Sequence, residues 1–457
     1  MNKVTVQEEK KDKKYSLARF AAVKILNRYE RSDSYLDKLL AFQLGRNEFS
    51  PQDKNLLTEI VNGVVRWRAK LDWVLTGFYH GDYHKSINLV KNAMRIGLYQ
   101  MLFLNRVPIP AAIDESVEIV KVLQGDKAAG LINAVLRNIA RNIDKIRYPN
   151  NQDDPIFYLS IMHSHPKWLV KKWVDNYGIE EATHLLEVNN QKPYIPIRIN
   201  VMNSNFDEVT KIFEEKELPF EKSPYLANSV NLQSPNINIA QTELFKQGKI
   251  TVQDTAASLV CKLLSPKENT LVYDLCAAPG GKTFFIAELM NNTGEVIAID
   301  KYEQKVRMIE ESGKRLGLKN IKTFFFDAKE YKNEKKGDYV LCDVPCSGTG
   351  TLQKKPDIRW KREQEDINKM IPLQREILAS GAKLVAVGGV LVYSTCSIEP
   401  EENFKNIEDF LANNKNFELD RAENYLDPAL CKDGYFQAFP HLHNIDGAFG
   451  ARLIRKS

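Results

Sequence analysis

Two cysteines, Cys346 and Cys396, stand in predicted loops that each follow a strand. Cys346 lies within Pro-Cys-Ser-Gly-Thr-Gly and Cys396 within Ser-Thr-Cys-Ser. Cysteine is the strongest nucleophile among side chains at neutral pH. A thiolate that attacks C6 of a cytosine breaks the aromaticity of the ring and makes C5 able to accept a methyl group. A lone buried cysteine is more often inert packing, and three residues are interpreted that way: Cys261, Cys342 and Cys431.

The segment from Asp274 to Thr283 joins a predicted strand to a predicted helix and contains two adjacent glycines. Glycines let a ligand approach the backbone, and a helix N-terminus favours an anionic group. The spacing excludes the dinucleotide fingerprint G-x-G-x-x-G, and a P-loop would need glycine at 276 and an amide at 279. A nucleoside cofactor without a triphosphate fits best, with the carboxylate of S-adenosylmethionine (SAM) near the amides. The candidate cofactor-binding residues of this loop are Cys276, Ala277, Ala278, Pro279, Gly280, Gly281 and Lys282.

Three predicted strands after this loop end in aspartates: Asp300, Asp327 and Asp343. A carboxylate about 20 residues after the glycines can accept hydrogen bonds from ribose hydroxyls, which is the role expected of Asp300. Asp327 is then placed to reach the adenine amino group. A single aspartate of this kind is more often a helix cap, and a tight packing turn would explain the glycines alone. Three carboxylates at successive carboxyl ends of one sheet favour a ligand site.

The elements that must position these residues alternate between strand and helix from about residue 250. This alternation is typical of a doubly wound, mostly parallel sheet. The sequence therefore predicts a Rossmann-like α/β domain over residues 250–457. The predicted strands are Leu271–Leu275, Val296–Asp300, Thr323–Asp327, Tyr339–Asp343 and Val390–Thr395. The predicted helices include Thr283–Met290, Glu303–Leu316 and Gln364–Val387.

Four further segments precede this domain. Residues 1–14 are a polar tail that is expected to be disordered. Residues 15–147 carry apolar side chains at helical spacing, and residues 148–190 are a predicted helical connector. Residues 191–249 read as strand, helix and strand, which predicts a small α+β unit. The expected fold class is therefore multidomain, with an all-α N-terminal domain before the α/β domain.

The bulk composition limits the classes of function. The chain has 457 residues, a net charge of +5, and 43% hydrophobic and 27% charged residues, which is compatible with a nucleic-acid partner without requiring one. Six cysteines without a Cys-x-x-Cys pair argue against a disulfide framework or a zinc ribbon and indicate a reducing cytoplasm. No stretch is apolar enough for a signal peptide or a membrane span. Two histidine pairs, at 163 and 165 and at 441 and 443, have no further ligand at metal spacing, so no metal is expected.

Three motifs together carry a family resemblance: Asp-Leu-Cys-Ala-Ala-Pro-Gly-Gly-Lys at 274–282, Asp-Val-Pro-Cys-Ser-Gly-Thr-Gly at 343–350 and Ser-Thr-Cys-Ser at 394–397. They resemble the RsmB/Nop2/Sun RNA cytosine-C5 methyltransferases. The N-terminal helical region resembles the RNA-binding NusB-like domain of the bacterial members that act on 16S rRNA. The likeness extends from about Ala18 to Ile454. Supporting segments are Val64–Trp67, His165–Leu169, Arg198–Asn200 and Gln253–Ser258.

The resemblance implies a SAM-dependent enzyme that methylates C5 of a cytosine in small-subunit ribosomal RNA, as a cytoplasmic monomer without metal. Cys396 would be the nucleophile, and Cys346 would help to release the product. The glycine loop and the three aspartates would bind SAM, and Lys282 and Asp343 would also lie near the target base. Without the family, the roles of the two cysteines stay open, because a Pro-Cys pair also resembles the nucleophile motif of DNA cytosine-C5 methyltransferases.

Two positions depart from the family pattern. Val344 replaces the usual alanine, and Asp446-Gly-Ala-Phe449 lacks one aromatic residue of Asp-Gly-Phe-Phe, which leaves the role of that segment open. Three basic runs are candidates for RNA contact, at 66–68, 137–147 and 354–362. The last is the best candidate because it follows the Cys346 loop and includes a tryptophan, although such runs are more often solvated helix faces.

Two other classes of function compete with this interpretation. A P-loop NTPase would hydrolyse ATP, but its motif is incomplete here. A non-catalytic RNA-binding or assembly factor could be built on an inactive methyltransferase fold. The presence of both cysteines and of all three strand-end aspartates argues against that second alternative.

Overall fold

The structure is a computed structural model that describes residues 15–46, 48–233 and 237–457. The chain separates into two compact units. One contains the residues up to Asn190 together with Lys355–Lys361, and the other contains Gln191–Lys354 and Arg362–Ser457. The tail predicted over residues 1–14 lies outside the described residues. Within the described ranges, no helix is long and apolar enough to cross a membrane.

The first unit, called the helical unit below, confirms the all-α prediction for the N-terminal region. Its helices begin at capping residues, for example Ser16, whose hydroxyl accepts a hydrogen bond from the Arg19 backbone, and Ser50, which precedes Pro51. Apolar residues at helical spacing, such as Leu57 and Ile60, are fully buried in one core. The helices are α1 (Leu17–Tyr29), α2 (Leu36–Leu44), α3 (Pro51–Arg66), α4 (Arg68–Phe78), α5 (Asn88–Phe103), α6 (Ile109–Gln124), α7 (Asp126–Arg141), α8 (Pro155–Met162), α9 (Lys167–Tyr177) and α10 (Ile179–Val188).

Residues 355–361 fold with the helical unit, and their arginine is buried there. Arg359 is 1% exposed. Its guanidinium donates hydrogen bonds to the carbonyl oxygens of Ser164 at 3.1 Å and Asn189 at 3.2 Å, and to Oδ1 of Asn190 at 2.9 Å. Burial lowers the pKa of Arg359, and the nearby Arg66 charge lowers it further.

The next two residues of this basic run also donate hydrogen bonds within the helical unit. The Trp360 indole N–H donates to the Val65 carbonyl at 2.7 Å, and Lys361 donates to the Ser34 carbonyl at 2.6 Å. The prediction that 354–362 is the leading RNA-contact segment is therefore wrong for Arg359, Trp360 and Lys361. By contrast, the basic residues of the 137–147 run are exposed: Arg137, Arg141, Lys145 and Arg147.

The second unit, called the α/β unit below, begins with a small antiparallel sheet. Its strand order is β2-β3-β1-β4, with β1 (Ile195–Ile199), β2 (Phe220–Lys222), β3 (Ser229–Leu232) and β4 (Ile250–Val252), and with helices α11 (Phe206–Glu215) and α12 (Glu243–Lys246). β1, β3 and α11 were predicted from the sequence. β2 and β4 were not, because three residues are too few to show the alternation of side chains that identifies a strand. The β1 residue Arg198 is buried and forms an ion pair with Glu288 of the following α/β region.

The large sheet has nine strands in the order β11-β12-β13-β9-β8-β5-β6-β7, with β10 pairing to β13. The run from β9 to β7 is parallel, so the predicted Rossmann-like, mostly parallel sheet is confirmed. The strands are β5 (Leu271–Leu275), β6 (Glu295–Asp300), β7 (Ile321–Phe325), β8 (Gly337–Asp343), β9 (Val385–Thr395), β10 (Phe417–Asp420), β11 (Cys431–Lys432), β12 (Tyr435–Ala438) and β13 (Ala448–Arg455). The helices are α13 (Thr255–Leu264), α14 (Gly281–Leu289), α15 (Glu303–Arg315), α16 (Ile358–Lys361, in the segment that folds with the helical unit), α17 (Gln364–Leu384), α18 (Phe404–Asn413) and α19 (Pro440–His443).

Several boundaries and one sheet region differ from the prediction. β7 ends at Phe325, so Asp327 follows the strand by two residues instead of ending it. α17 ends at Leu384 and β9 begins at Val385, because a Val-Ala-Val sequence suits a strand at least as well as a helix. The antiparallel additions β10 to β13 were not predicted, since each is short or follows irregular chain.

Candidate active site

The turn between β5 and α14 holds two residues in the left-handed backbone region. Cys276 has φ 65° and Gly280 has φ 104°. A Cβ atom at Gly280 would lie 2.3 Å from the Phe284 ring, so only glycine fits there. The Ala277 N–H donates to the Ile299 carbonyl at 2.9 Å and ties the turn to β6. A cysteine held at positive φ is a strained position of the kind that concentrates at functional sites.

The three aspartates lie along the edge formed by the carboxyl ends of β8, β5, β6 and β7. Asp300 is buried and contacts the turn directly, because it accepts hydrogen bonds from the Ala278 N–H at 3.2 Å and the Tyr302 N–H at 3.0 Å. Asp327 is half-buried and accepts from the Lys329 N–H at 3.0 Å. Asp343 ends β8, next to β5. The structure thus brings together the turn and the carboxylates that the sequence singled out.

Lys282, the last residue of the predicted cofactor loop, points to the end of β8. Its ammonium group lies 2.7 Å from Oδ2 of Asp343, and the Ser394 hydroxyl donates to Oδ1 of the same carboxylate at 2.7 Å. Burial alone would lower the pKa of Lys282, but Asp343 outweighs burial and raises it above the usual value. Lys282 is therefore a fixed positive charge, and it also interacts electrostatically with Cys396.

The two cysteines that the sequence placed in separate loops are neighbours. Sγ of Cys346 lies 3.3 Å from Sγ of Cys396. Cys396 is exposed and Cys346 is half-buried. The hydrogen bond to Cys396, followed by burial, raises the pKa of Cys346 well above its usual value. Either sulfur can be the donor in this contact, and the raised pKa favours the protonated thiol at Cys346.

Two adjacent residues that sequence analysis missed hold the two cysteine loops. Glu402 is fully buried, and its carboxylate accepts hydrogen bonds from the backbone N–H and the hydroxyl of Ser347, the residue after Cys346. Asn403 accepts from the Thr395 hydroxyl at 2.6 Å and donates to the Ser397 carbonyl at 2.9 Å, on either side of Cys396. The signal in the sequence was a glutamate and an asparagine directly before α18, which alone suggest only a helix cap.

The segment 446–449, whose role the sequence left open, connects the same two loops. The Gly447 N–H donates to the Gly350 carbonyl at 2.8 Å, and the Gly350 N–H donates to the Cys396 carbonyl at 3.1 Å. A Cβ atom at Gly447 would lie 2.7 Å from Cα of Gly350, so this close approach requires glycine. Ala448, where the family has an aromatic residue, is buried at the start of β13.

Lys354 anchors this connection through two carboxylates. Its ammonium group forms ion pairs with Asp254, the N-cap of α13, and with Asp446 at 3.0 Å. The Asp446 N–H in turn donates to Oδ1 of Asp254 at 3.2 Å. Burial would lower the pKa of Lys354, but Asp446 and Asp254 raise it above the usual value. The prediction that Lys354 contacts RNA is therefore wrong, because its charge is already paired within the α/β unit.

Asp274, at the start of the glycine motif, is a buried carboxyl group. Its Oδ2 accepts a hydrogen bond from the Thr283 hydroxyl at 2.5 Å, while its Oδ1 has no hydrogen-bond partner in the described ranges of the chain. Burial raises the pKa of Asp274 to about 7. An incompletely satisfied buried carboxyl group beneath the turn is the kind of perturbed group that clusters at ligand sites.

The remaining cysteines and the histidine pairs have local packing roles. Cys261 and Cys342 are fully buried, and burial raises the pKa of both thiols. Cys431 is half-buried and donates to the Asp427 carbonyl at 3.5 Å. The buried His165 ring bonds to the His163 carbonyl at 2.7 Å. In the part of the chain that is described, no group of three or more potential metal ligands is found.

Comparisons with known proteins agree with this geometry. Residues 261–454 match the family described as 16S rRNA methyltransferase RsmB/F, residues 16–141 match the NusB family, and residues 165–239 match a ferredoxin-like domain of RsmF/B-like methyltransferases. The probable ribosomal RNA small subunit methyltransferase B of Bacillus subtilis is 35% identical over 97% of this chain and 100% of its own length.

Solved structures share the fold. The crystal structure of PH0851 has a TM-score of 0.82 at 28% identity and covers 96% of this chain and 98% of that chain. The structure of NSun6 from Pyrococcus horikoshii with SFG has a TM-score of 0.59 at 23% identity, over 65% of this chain and 100% of that one, which shows a common fold.

The α/β sheet, its glycine turn and its strand-end carboxylates define a methyltransferase with a Rossmann-like catalytic fold. Over nearly its whole length, the chain belongs to the ribosomal RNA small subunit methyltransferase B family. Its N-terminal helical region is a NusB-family domain.

Proposed function

We propose that this chain transfers a methyl group from SAM to C5 of a cytosine in small-subunit ribosomal RNA, with Cys396 as the nucleophile. The observation that carries the proposal is the pair of thiols 3.3 Å apart beside the paired Lys282 and Asp343. Methylation of an oxygen or a nitrogen needs no thiol, whereas C5 of cytosine becomes nucleophilic only after a thiolate adds to C6. Membership of a family named for small-subunit ribosomal RNA supports the class of substrate.

The residues around the glycine turn fit SAM as the methyl donor. The Asp274 Oδ1 atom is buried without a hydrogen-bond partner among the described residues. Asp300 offers a carboxylate at the end of β6, and Asp327 offers one two residues after the adjacent β7. Asp300 would hold the ribose hydroxyls, Asp327 the adenine amino group, and the 276–282 turn the methionine portion. SAM supplies an electrophilic methyl group when bound. SFG is an analogue of SAM, and a protein of the same fold was solved with it.

The protein residues then have separate tasks. The Cys396 thiolate adds to C6, and the adjacent Lys282 charge stabilises that thiolate before the attack. Lys282 and Asp343 lie beside the thiols and orient the base. After C5 has been methylated, its proton must leave and the bond between Cys396 and C6 must break. The C5 proton passes to the thiolate form of Cys346, whose raised pKa makes it a strong base, the C5–C6 double bond re-forms, and Cys396 leaves as a thiolate.

The proposal extends to the rest of the chain. Residues 15–147 form an RNA-binding NusB-like domain, 148–190 a helical connector, 191–249 a small α+β subdomain, and 250–457 the SAM-dependent catalytic domain. The exposed basic residues of the 137–147 run, led by Arg141 and Arg147, contact RNA phosphates. An rRNA substrate assigns the reaction to the cytoplasm, and the chain acts as a monomer without a metal.

The test is methyl transfer from tritiated SAM to small-subunit rRNA, followed by nucleoside analysis. We expect tritium only in 5-methylcytosine, and bisulfite sequencing of rRNA from a strain that lacks this gene should reveal the target position. Label in another nucleoside, or none, would overturn the proposal. ATP hydrolysis without methyl transfer would favour the NTPase alternative.

A second measurement tests the cofactor assignment separately. Asp300→Ala should weaken SAM binding by about 10- to 100-fold, equivalent to roughly 1.5–3 kcal/mol for lost hydrogen bonds to a charged group, with RNA affinity unchanged. Calorimetry gives both affinities. An unchanged affinity for SAM would remove Asp300 from the cofactor site.

A further inference from the structure

The Cys346–Cys396 pair has a second chemical capacity that methyl transfer does not use. Its two sulfur atoms are 3.3 Å apart, and a disulfide bond needs about 2.05 Å. A closure of about 1.3 Å between the sulfur atoms would therefore suffice. We propose that Cys346 and Cys396 form a reversible disulfide when the RNA-free protein meets a hydroperoxide, so that the pair is a site of oxidative modification.

The loops around the two cysteines are already held together by bonds that do not involve the sulfur atoms. The hydroxyl groups of the residues that follow them, Ser347 and Ser397, lie 3.1 Å apart. The Gly350 N–H donates to the Cys396 carbonyl at 3.1 Å. Oxidation would thus require adjustment of two side chains within loops that are already aligned, rather than a rearrangement of the sheet.

The surroundings of the two thiols determine the order of reaction. A hydroperoxide reacts with a thiolate that it can reach. Cys396 is exposed and interacts with the fixed positive charge of Lys282. Cys346 is half-buried, and its raised pKa keeps it protonated. Cys396 is therefore the thiol that is oxidised first, and Cys346 is the thiol that resolves the product.

The two steps balance in atoms and electrons. The Cys396 thiolate attacks the hydroperoxide, an S–O bond forms, the O–O bond breaks, and the peroxide leaves as an alcohol after taking up one proton. Sulfur is oxidised by two electrons and the peroxide is reduced. Cys346 then attacks the Cys396 sulfur, the S–S bond forms, the S–O bond breaks, and the departing hydroxide takes the Cys346 proton and leaves as water.

This proposal depends on the two thiols and not on which nucleotide is methylated, so its test uses no methylation assay. The full-length protein is treated with a small excess of hydrogen peroxide. Of its six free thiols two should disappear, and the intact mass should fall by about 2 Da. Peptide mapping without reductant should locate the bond between Cys346 and Cys396. Dithiothreitol should restore all of the thiols.

Single variants distinguish a resolving cysteine from a bystander. In Cys346→Ser, Cys396 should proceed to sulfinic acid, with a mass gain of about 32 Da that dithiothreitol does not reverse. In Cys396→Ser, oxidation of Cys346 should be slower by about tenfold or more. Cys431→Ser, at a half-buried cysteine outside the site, is the matched control and should form the bond as the wild type does. Three results with the wild-type protein would overturn the proposal. They are sulfinic acid at Cys396, a disulfide bond between other cysteines such as Cys276 and Cys342, and no loss of thiols.

Discussion

The two cysteine loops of the α/β unit differ in how their thiols are presented, although both contain a Cys-Ser dipeptide. The Cys396 loop exposes its thiol next to the Lys282 charge. The Cys346 loop holds its thiol half-buried, 3.3 Å from the Cys396 sulfur and near the negative charge of Glu402. The positive charge of Lys282 attracts a thiolate at Cys396, whereas the hydrogen bond to Cys396, burial and the charge of Glu402 oppose a thiolate at Cys346.

This difference teaches that the roles of the two cysteines follow from their supports and not from their local sequences. A Pro-Cys motif alone made Cys346 an equally good candidate for the nucleophile. Glu402 and Asn403, adjacent in sequence, each hold one of the loops, so a change at either residue should disturb one loop more than the other. Four predictions test the comparison.

The largest effect is expected from replacing the cysteines themselves. Cys396→Ala should lower methylation by about 1,000-fold or more, because no other group there can activate C5. Cys346→Ala should still attack and methylate, but should stall before release and leave an RNA–protein adduct. Mixing each variant with substrate RNA and SAM, followed by a denaturing gel, measures the adduct.

The control for these variants is Cys431→Ala, which should retain full activity because that thiol lies outside the site. An adduct with Cys396→Ala and none with Cys346→Ala would reverse the two roles. No adduct with either variant would mean that release does not depend on the second cysteine.

The reactive parts of the site could be predicted from the sequence, because residue type and position along the chain indicate their chemistry. Both cysteines, the 276–282 turn and the three aspartates could be singled out from strand ends and glycine spacing, and the structure brings them to one edge. The supports could not be predicted. Glu402 is 55 residues from Ser347 in sequence, and nothing in an isolated Glu-Asn pair indicates which distant loop it will hold.

The next largest effect is expected at the two supports. Asn403→Ala removes the bonds to Thr395 and Ser397, so the Cys396 loop should lose its alignment and the rate of adduct formation should fall by about 10- to 100-fold. Glu402→Gln replaces an acceptor that Ser347 uses with a donor, so release should slow more than attack. Rapid-quench kinetics of adduct formation and decay separate the two steps.

Glu402→Asp is the conservative control, since it keeps both acceptor oxygens, and it should restore part of the release rate. Thermal unfolding of all three variants reports any general loss of stability. If Asn403→Ala and Glu402→Gln each slowed attack and release equally, the two cysteine loops would depend on both residues. That result would contradict the claim that each residue supports mainly one loop.

Asp446→Asn is expected to have a smaller effect, and to slow attack and release to a similar extent. Lys354 would keep its ion pair with Asp254 but lose the charge of Asp446, which lies 3.0 Å away. Because the adjacent Gly447 bonds to Gly350, which bonds to Cys396, attack and release should both slow, by about tenfold or less. The same rapid-quench assay measures both. A change confined to one step would show that this connection supports only one loop.

The basic run 354–362 shows where sequence reasoning failed. Its lysines and arginines looked like phosphate ligands, yet Arg359 is buried among carbonyl groups and Lys354 among carboxylates. Charge and aromatic content are local properties, whereas burial depends on segments that are distant in sequence, such as Ser164 and Asp446. The 137–147 run, with the same kind of composition, stays exposed, and sequence alone could not tell the two runs apart.

The smallest effect concerns the charge that Glu402 places near Cys346. Glu402 is one of the groups that raise the pKa of Cys346. Replacing it with the neutral Gln removes a negative charge, so the pKa of Cys346 should fall, and more of this thiol should be ionised at any pH below the pKa. Iodoacetamide reacts with the thiolate, so alkylation of Cys346 at pH 8 should be a few fold faster in Glu402→Gln than in the wild type. Peptide mass spectrometry over time gives the rate for each cysteine.

Asn403→Ala is the matched control, because Asn403 carries no charge and bonds around Cys396, so it should leave the Cys346 rate unchanged. If Glu402→Gln slowed the alkylation of Cys346, or if both variants accelerated it equally, loop opening rather than charge would control this thiol, and the electrostatic contrast between the two loops would be lost.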